Sequence, residues 1–299
     1  MCGPRHGLEI LARVQIAPCS FHPWMALADS DGTFASHLKT CGLRMTDDTG
    51  MRDDWVVLAM LGTLVAIVGS VAHEAIGHGL GCALDGGTVT LLTFLVFRCD
   101  GAGWVADGGG PAGALIVGCL ALILLQRSRP TNALCKLLLF TVASMLLFWF
   151  FAQMVKEAFD GSDDWGHVAR DLSWPSQWHM VAAIVGALGY WMTFRVLRHA
   201  AVSVIDGRRL RLVVPYLGAA LCAPILGALW HGGVLASAVD GLMTFAVAPF
   251  GHLLLLFFIE RNDGGVGELI RRSRAFIGTT LVIVVFFAAV VAPGLGRLS

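Results

Sequence analysis

Apolar residues in this chain gather into long runs instead of the short periodic stripes of a soluble protein. The first run reaches from Trp55 to Ala72 and passes directly into His73-Glu74-Ala75-Ile76-Gly77-His78. A bilayer crossing needs about 20 mostly apolar residues. By that measure the pattern predicts helices near 55–82, 112–126, 133–155, 178–198, 213–236, 241–259 and 275–292. The second is short and Pro215 and Pro224 interrupt the fifth, so the expectation is six to seven spans. Residues 88–106 break the pattern: Thr88 to Phe97 is rich in β-branched and aromatic residues and lies between Gly86-Gly87 and Asp100-Gly101. It predicts a small β-hairpin or re-entrant strand after the first helix, tolerable at membrane depth only where protein or water covers its backbone. The fold class is therefore an all-α polytopic membrane protein with one such hairpin. Residues 1–50 are polar and irregular and read as a disordered or over-called extension, with Met45 and Met51 as alternative starts; residues 51–299 form the polytopic membrane domain.

Composition agrees. Of 299 residues 56% are hydrophobic and 14% charged, against roughly a quarter charged in soluble domains. The 21 basic and 21 acidic residues balance, which argues against nucleic acid as a partner. None of the eight cysteines forms a CxxC pair, so neither a thiolate zinc site nor a disulfide framework is suggested. Several lie in apolar helices and read as packing residues.

Lysine and arginine placement predicts topology. With seven spans and a hairpin that returns to the face it left, one face collects Arg52, Arg127, the Arg208-Arg209/Arg211 cluster and Arg271-Arg272/Arg274, among others. The opposite face holds Arg98, Lys156, Arg170 and Arg297. The N-terminus is expected to be cytoplasmic and the His73–His78 end outward. Asp100, Asp107, the loop Asp160-Gly161-Ser162-Asp163-Asp164-Trp165-Gly166-His167 and Asp240 fall on that outer face too.

Two imidazoles and a carboxylate beside a membrane helix are costly unless paired or ligated. The familiar zinc-hydrolase spacing is His-Glu-x-x-His, with histidines at i and i+4 on one helical face. Here they stand at i and i+5, about 140° apart on a regular α-helix. A π-turn near Gly77 would bring both to one ion; without it, Glu74 and His78 form the i, i+4 pair and His73 points elsewhere. His231 and His252, in or near apolar helices, read as packing residues, and the Gly109-Gly110-Pro111 stretch as a turn leading into a helix.

A long apolar helix running into this motif, then Gly86-Gly87-Thr88-Val89, a strand-like hairpin, and Gly109-Gly110-Pro111-Ala112-Gly113, resembles the site-2 protease family of intramembrane zinc metallopeptidases. The likeness is to its divergent bacterial branch and covers about residues 55–170. It implies a Zn2+ cofactor held by His73 and His78, with Glu74 as the catalytic residue that polarises water. It further implies a membrane-protein or peptide substrate and a location in a bacterial inner membrane. The family's third ligand is an aspartate of an Asn-Pro-x-x-Asp-Gly motif, which this chain lacks. Asp164 is the best substitute, with Asp163, Asp160 and His167 as competitors; Asp240 echoes the motif's Asp-Gly but lies two spans late. Two other readings stand beside this one: a non-catalytic descendant that binds membrane proteins, and a metal or haem protein using His73, His78, His231 and His252.

Overall fold

The computed structural model describes residues 52–128, 132–258 and 268–296. The N-terminal extension expected over 1–50 lies outside them. Among the described residues, seven helices are long and apolar enough to cross a membrane. In chain order the elements are α1 (Trp55–Leu84), strands β1 (Thr88–Leu92) and β2 (Phe97–Asp100), α2 (Trp104–Ser128) and α3 (Ala133–Asp160). A short helix α4 (Asp164–Asp171) is followed by α5 (Trp178–Ile205), α6 (Leu210–Gly227), α7 (Val234–Phe258) and α8 (Arg274–Val291). The protein is an integral membrane protein with one small antiparallel hairpin.

Polar side chains set the helix starts. Asp54 accepts hydrogen bonds from the Val56 and Val57 amides and opens α1. Asn132 does the same for α3 through Leu134 and Cys135, and Ser273 caps α8. Gly161, in the left-handed conformation (φ 55°), ends α3 where a Cβ would be strained.

α3 is the central helix. It packs against α2, α5 and α1 and buries Phe140, Met145, Leu146 and Phe148. α1 packs along α6, where backbones meet at Gly62 and Gly218. α5 and α8 keep long apolar faces exposed, including Met180, Ile184 and Leu188 on one and Val282, Val285 and Phe286 on the other. In a soluble protein such faces would be a liability; in a bilayer they are the lipid contact.

Three boundaries differ from expectation. α2 begins at Trp104, not near 112, so Gly109-Gly110-Pro111 lies inside a helix instead of before it. The run expected over 213–236 ends at Gly227, and the next helix begins at Val234. The span expected over 241–259 therefore starts earlier, and it contains a π-turn over Met243–Val247 and a kink at Pro249. The kink leaves backbone groups that both of the chain's tyrosines satisfy. Tyr216 donates to the Ala246 carbonyl and Tyr190 to that of Ala248, while the Gly251 amide donates to the Tyr190 hydroxyl.

At the end of the molecule away from the histidines, Asp53 is tied to Arg211 by a two-pronged contact (Oδ2–Nε 2.8 Å, Oδ1–Nη2 3.1 Å), and both side chains are almost fully buried. Asp53 also accepts the Ile270 amide, and Arg211 donates to the Glu268 and Val204 carbonyls. The cluster pins the start of α1 to α6 and to the segment before α8. Burial alone would raise the Asp53 carboxyl, but the Arg211 hydrogen bond, the Ile270 amide and the arginine charges hold it below the usual carboxylate range. A depressed carboxyl stabilises the fold above its unfolded value of about 3.9, and that contribution disappears as pH falls through the folded value. Asp53→Asn is expected to lose about 3 kcal/mol or more, because it leaves a buried guanidinium uncompensated. Thermal unfolding in detergent from pH 7 to 3 should show wild type falling steeply below about pH 4 and the variant starting lower with a flatter profile. Identical profiles would remove this pair from the stability of the fold.

Candidate metal centre

The i to i+5 histidine spacing is accommodated by a π-helical segment, Val71–His78, set between the two α-helical parts of α1. It is longer than a single turn, and the Gly79 amide bonds back to the Glu74 carbonyl at the same i to i+5 interval. Both imidazoles, buried, thereby face the same side.

Glycine explains why the segment fits. Gly77 lies against the backbone of Gly109 and Gly110, and Gly113 against the Ala72 carbonyl; a Cβ at Gly77, Gly109 or Gly113 would overlap main-chain atoms. A Cβ at Gly110 would strike the His78 ring itself. The glycine run of α2 is therefore the surface that receives the π-segment, which is why α2 is helical through it.

Asp85, just past α1, accepts the Gly103 and Ala106 amides (2.9 and 2.8 Å) and fixes the first turn of α2. The Ala106 carbonyl in turn lies 2.7 Å from His78 Nδ1. That contact makes Nδ1 the protonated nitrogen, so in the neutral imidazole Nε2 carries the lone pair. Phe97 of β2 stacks on His78 at 5.4 Å, and Trp149 of α3 stacks on His73 at 4.6 Å.

Asp164 completes the group. Its Oδ2 is 3.1 Å from His73 Nε2, its Oδ1 is 3.4 Å from His78 Nε2, and the two Nε2 atoms are 3.2 Å apart. Among the described residues, His73, His78 and Asp164 are the set of side chains placed to hold a metal ion. Ligands at 2.0–2.1 Å from a tetrahedral ion stand about 3.3–3.4 Å from one another, close to the observed spacing. The donor set has the right chemistry as well: the Nε2 lone pair of His78 and a carboxylate oxygen converge on one point and repel unless a cation sits between them. Burial pulls the Asp164 carboxyl upward, but the hydrogen bond and charge of His73, aided by His78 and Gln153, hold it below the usual range. His73 Nδ1 is buried without a protein partner.

The group lies in the wall of a cavity of about 960 Å3 bounded by α1, β2, the start of α2, α3, α4 and the π-turn of α7. Glu74 is also in this wall, and no hydrogen bond ties its carboxylate to another described residue. The other candidates are nearby but not in the triad. Asp163 and Asp160 pair with Lys156 at 3.5 and 3.0 Å. His167 is 3.9 Å from Asp107, and Asp240 lines the cavity without joining the triad. His252 is enclosed elsewhere, between Ser144 Oγ (2.6 Å) and the Leu212 carbonyl (3.2 Å), and His231 is an exposed loop residue. The four-histidine set is not assembled.

One expectation is overturned. Cys82 and Cys99 form a disulfide joining the end of α1 to β2. They stand 17 positions apart in sequence, and no short motif marks such a pair, because the hairpin's return brings them together. Cys119, Cys135 and Cys222 are free. Gln153, Glu157 and Asp85, which support the triad, were likewise not singled out by sequence. For the first two the signal existed: polar positions four residues apart in an otherwise apolar helix.

No protein-family model, curated protein or solved structure matches the chain significantly. Function must be argued from the site.

Thiol labelling tests the disulfide. Under denaturing, non-reducing conditions Cys82 and Cys99 should resist maleimide and become reactive after reduction, read by peptide mass. Full labelling without reductant would contradict the link.

Proposed function

We propose that this protein is a membrane-embedded zinc metallopeptidase of site-2 type, hydrolysing a peptide bond of a membrane-protein substrate. The observation that carries the proposal is the convergence of His73 Nε2 and His78 Nε2, 3.2 Å apart, on the Asp164 carboxylate, whose Oδ2 lies 3.1 Å from the first and whose Oδ1 lies 3.4 Å from the second. Zn2+ held by two imidazoles and one carboxylate supplies a Lewis acid with an open coordination position, where the pKa of water falls to about 7.

This chain's residues supply the remaining parts. The Ala106 carbonyl keeps His78 in the tautomer that presents Nε2. Glu74, next to His73 and with its carboxylate hydrogen-bonded to no other described residue, accepts the proton of the attacking water and passes it to the leaving amine as the C–N bond breaks. β2 lines the cavity, whereas β1 already exchanges two 2.7 Å hydrogen bonds between Leu92 and Leu295. An extended substrate segment would therefore add along the β2 edge, whose residues Phe97 to Asp100 line the cavity.

Two independent features support an orientation. Basic residues concentrate on the face opposite the site, and the Cys82–Cys99 disulfide favours an oxidising compartment at the site end. Together they support a cytoplasmic N-terminus and an outward-opening cavity in a bacterial inner membrane.

Detergent-purified protein is expected to carry about one zinc per chain, lost in His73→Ala, His78→Ala and Asp164→Ala. Gly110→Ala, which crowds the His78 ring, should lose zinc although it removes no ligand. Glu74→Gln should keep the metal yet reduce cleavage of a model transmembrane substrate by about 100-fold or more. Wild type without zinc, or undiminished cleavage by Glu74→Gln, would overturn the assignment. Zinc without cleavage of any tested membrane segment would favour a binding protein that keeps the old cleft.

A further inference from the structure

His73 and His78 are fixed by a long spanning helix, but Asp164 is the first residue of α4, an eight-residue helix outside the spans. Its carboxylate cannot be located by α4 alone. Three side chains on one stripe of α3, at i, i+4 and i+8, meet the site: Trp149, Gln153 and Glu157. Trp149 stacks on His73. Gln153 Nε2 donates to Asp164 Oδ2 at 2.7 Å. Glu157 Oε2 accepts the amides of Asp163 (3.1 Å) and Gly166 (3.2 Å), which flank Asp164 in sequence. Gln153 and Glu157 are 7% and 0% exposed, and burying an amide and a carboxyl in a membrane helix carries a cost that a packing role does not explain.

We infer that Gln153 and Glu157 are positioning residues that make Asp164 a one-oxygen ligand. Glu157 holds the backbone on both sides of Asp164, standing in for the Asp163 side chain, which makes no capping bond to α4. Gln153 engages Oδ2, the oxygen 3.1 Å from His73 Nε2, and leaves Oδ1, 3.4 Å from His78 Nε2, for the ion. A carboxylate bound through both oxygens would take up the coordination position that hydrolysis requires; an N–H on one oxygen opposes this. Gly161 and Gly166 permit the arrangement, since a Cβ at Gly166 would overlap the Gly161 carbonyl, and their contact lets α4 fold straight back from the end of α3.

This inference rests on the metal reading, and one experiment separates the two. Zinc affinity is measured on full-length protein in detergent by competition with a chromophoric chelator, alongside thermal unfolding of the metal-free protein. Gln153→Leu and Gln153→Ala should bind zinc about 10- to 100-fold more weakly while the metal-free proteins unfold at the wild-type temperature. Glu157→Gln keeps an acceptor for both amides and should bind within about threefold of wild type, whereas Glu157→Ala should lose about tenfold or more. A general packing defect would lower the unfolding temperature and leave affinity in proportion. If wild type binds zinc and Gln153→Leu binds it equally well, positioning by Gln153 is rejected and the metal site stands. If wild type binds none, both fall together.

Discussion

The site depends on one backbone constraint: α1 must gain a residue per turn between Val71 and His78. A regular helix would point His73 and His78 about 140° apart; the π-segment aims both at the same cavity. π-Helix is costly to sustain for eight residues, and here it is supported from outside. Gly77 presses against Gly109 and Gly110, and Gly113 receives the Ala72 carbonyl. The widened turn has a matching surface without side chains. In lipid this matters further, because the backbone groups of an irregular helix must find partners within the protein.

A second helix controls what meets the histidines. α3 is the most enclosed span, and one stripe of it carries the ring on His73, the amide on Asp164 and the carboxyl at the start of α4. A third support runs from the end of α1: Asp85 holds the first turn of α2, whose Ala106 carbonyl orients His78, and the disulfide holds β2 and Phe97 against the same ring. Each imidazole thus has a stacked aromatic neighbour. The two Nε2 atoms and the Asp164 carboxylate are brought together by elements that each have their own anchor.

Much of this was legible in sequence, for identifiable reasons. Span length and hydropathy locate seven helices because the bilayer sets a common ruler. The i to i+5 spacing of the histidines marks a π-turn as the one arrangement that lets them share a face, and the side to which α3 returns marks Asp164 among its acidic neighbours. Boundaries were missed where tertiary contact overrides local pattern. Gly109-Gly110-Pro111 resembles a helix start by composition, yet it continues a helix because α1 needs a smooth surface there. The kink at Pro249 is held by Tyr190 and Tyr216 from neighbouring helices. The Cys82–Cys99 bridge depends on hairpin register, which spacing alone does not encode.

The central claim is that His73, His78 and Asp164 surround one zinc ion with no sulfur ligand. X-ray absorption at the zinc edge of the purified protein tests it most directly. The account predicts imidazole scattering and a first shell of nitrogen and oxygen alone at about 2.0–2.2 Å, with about four neighbours. A shell containing sulfur at about 2.3 Å, or a first shell without imidazole, would contradict it.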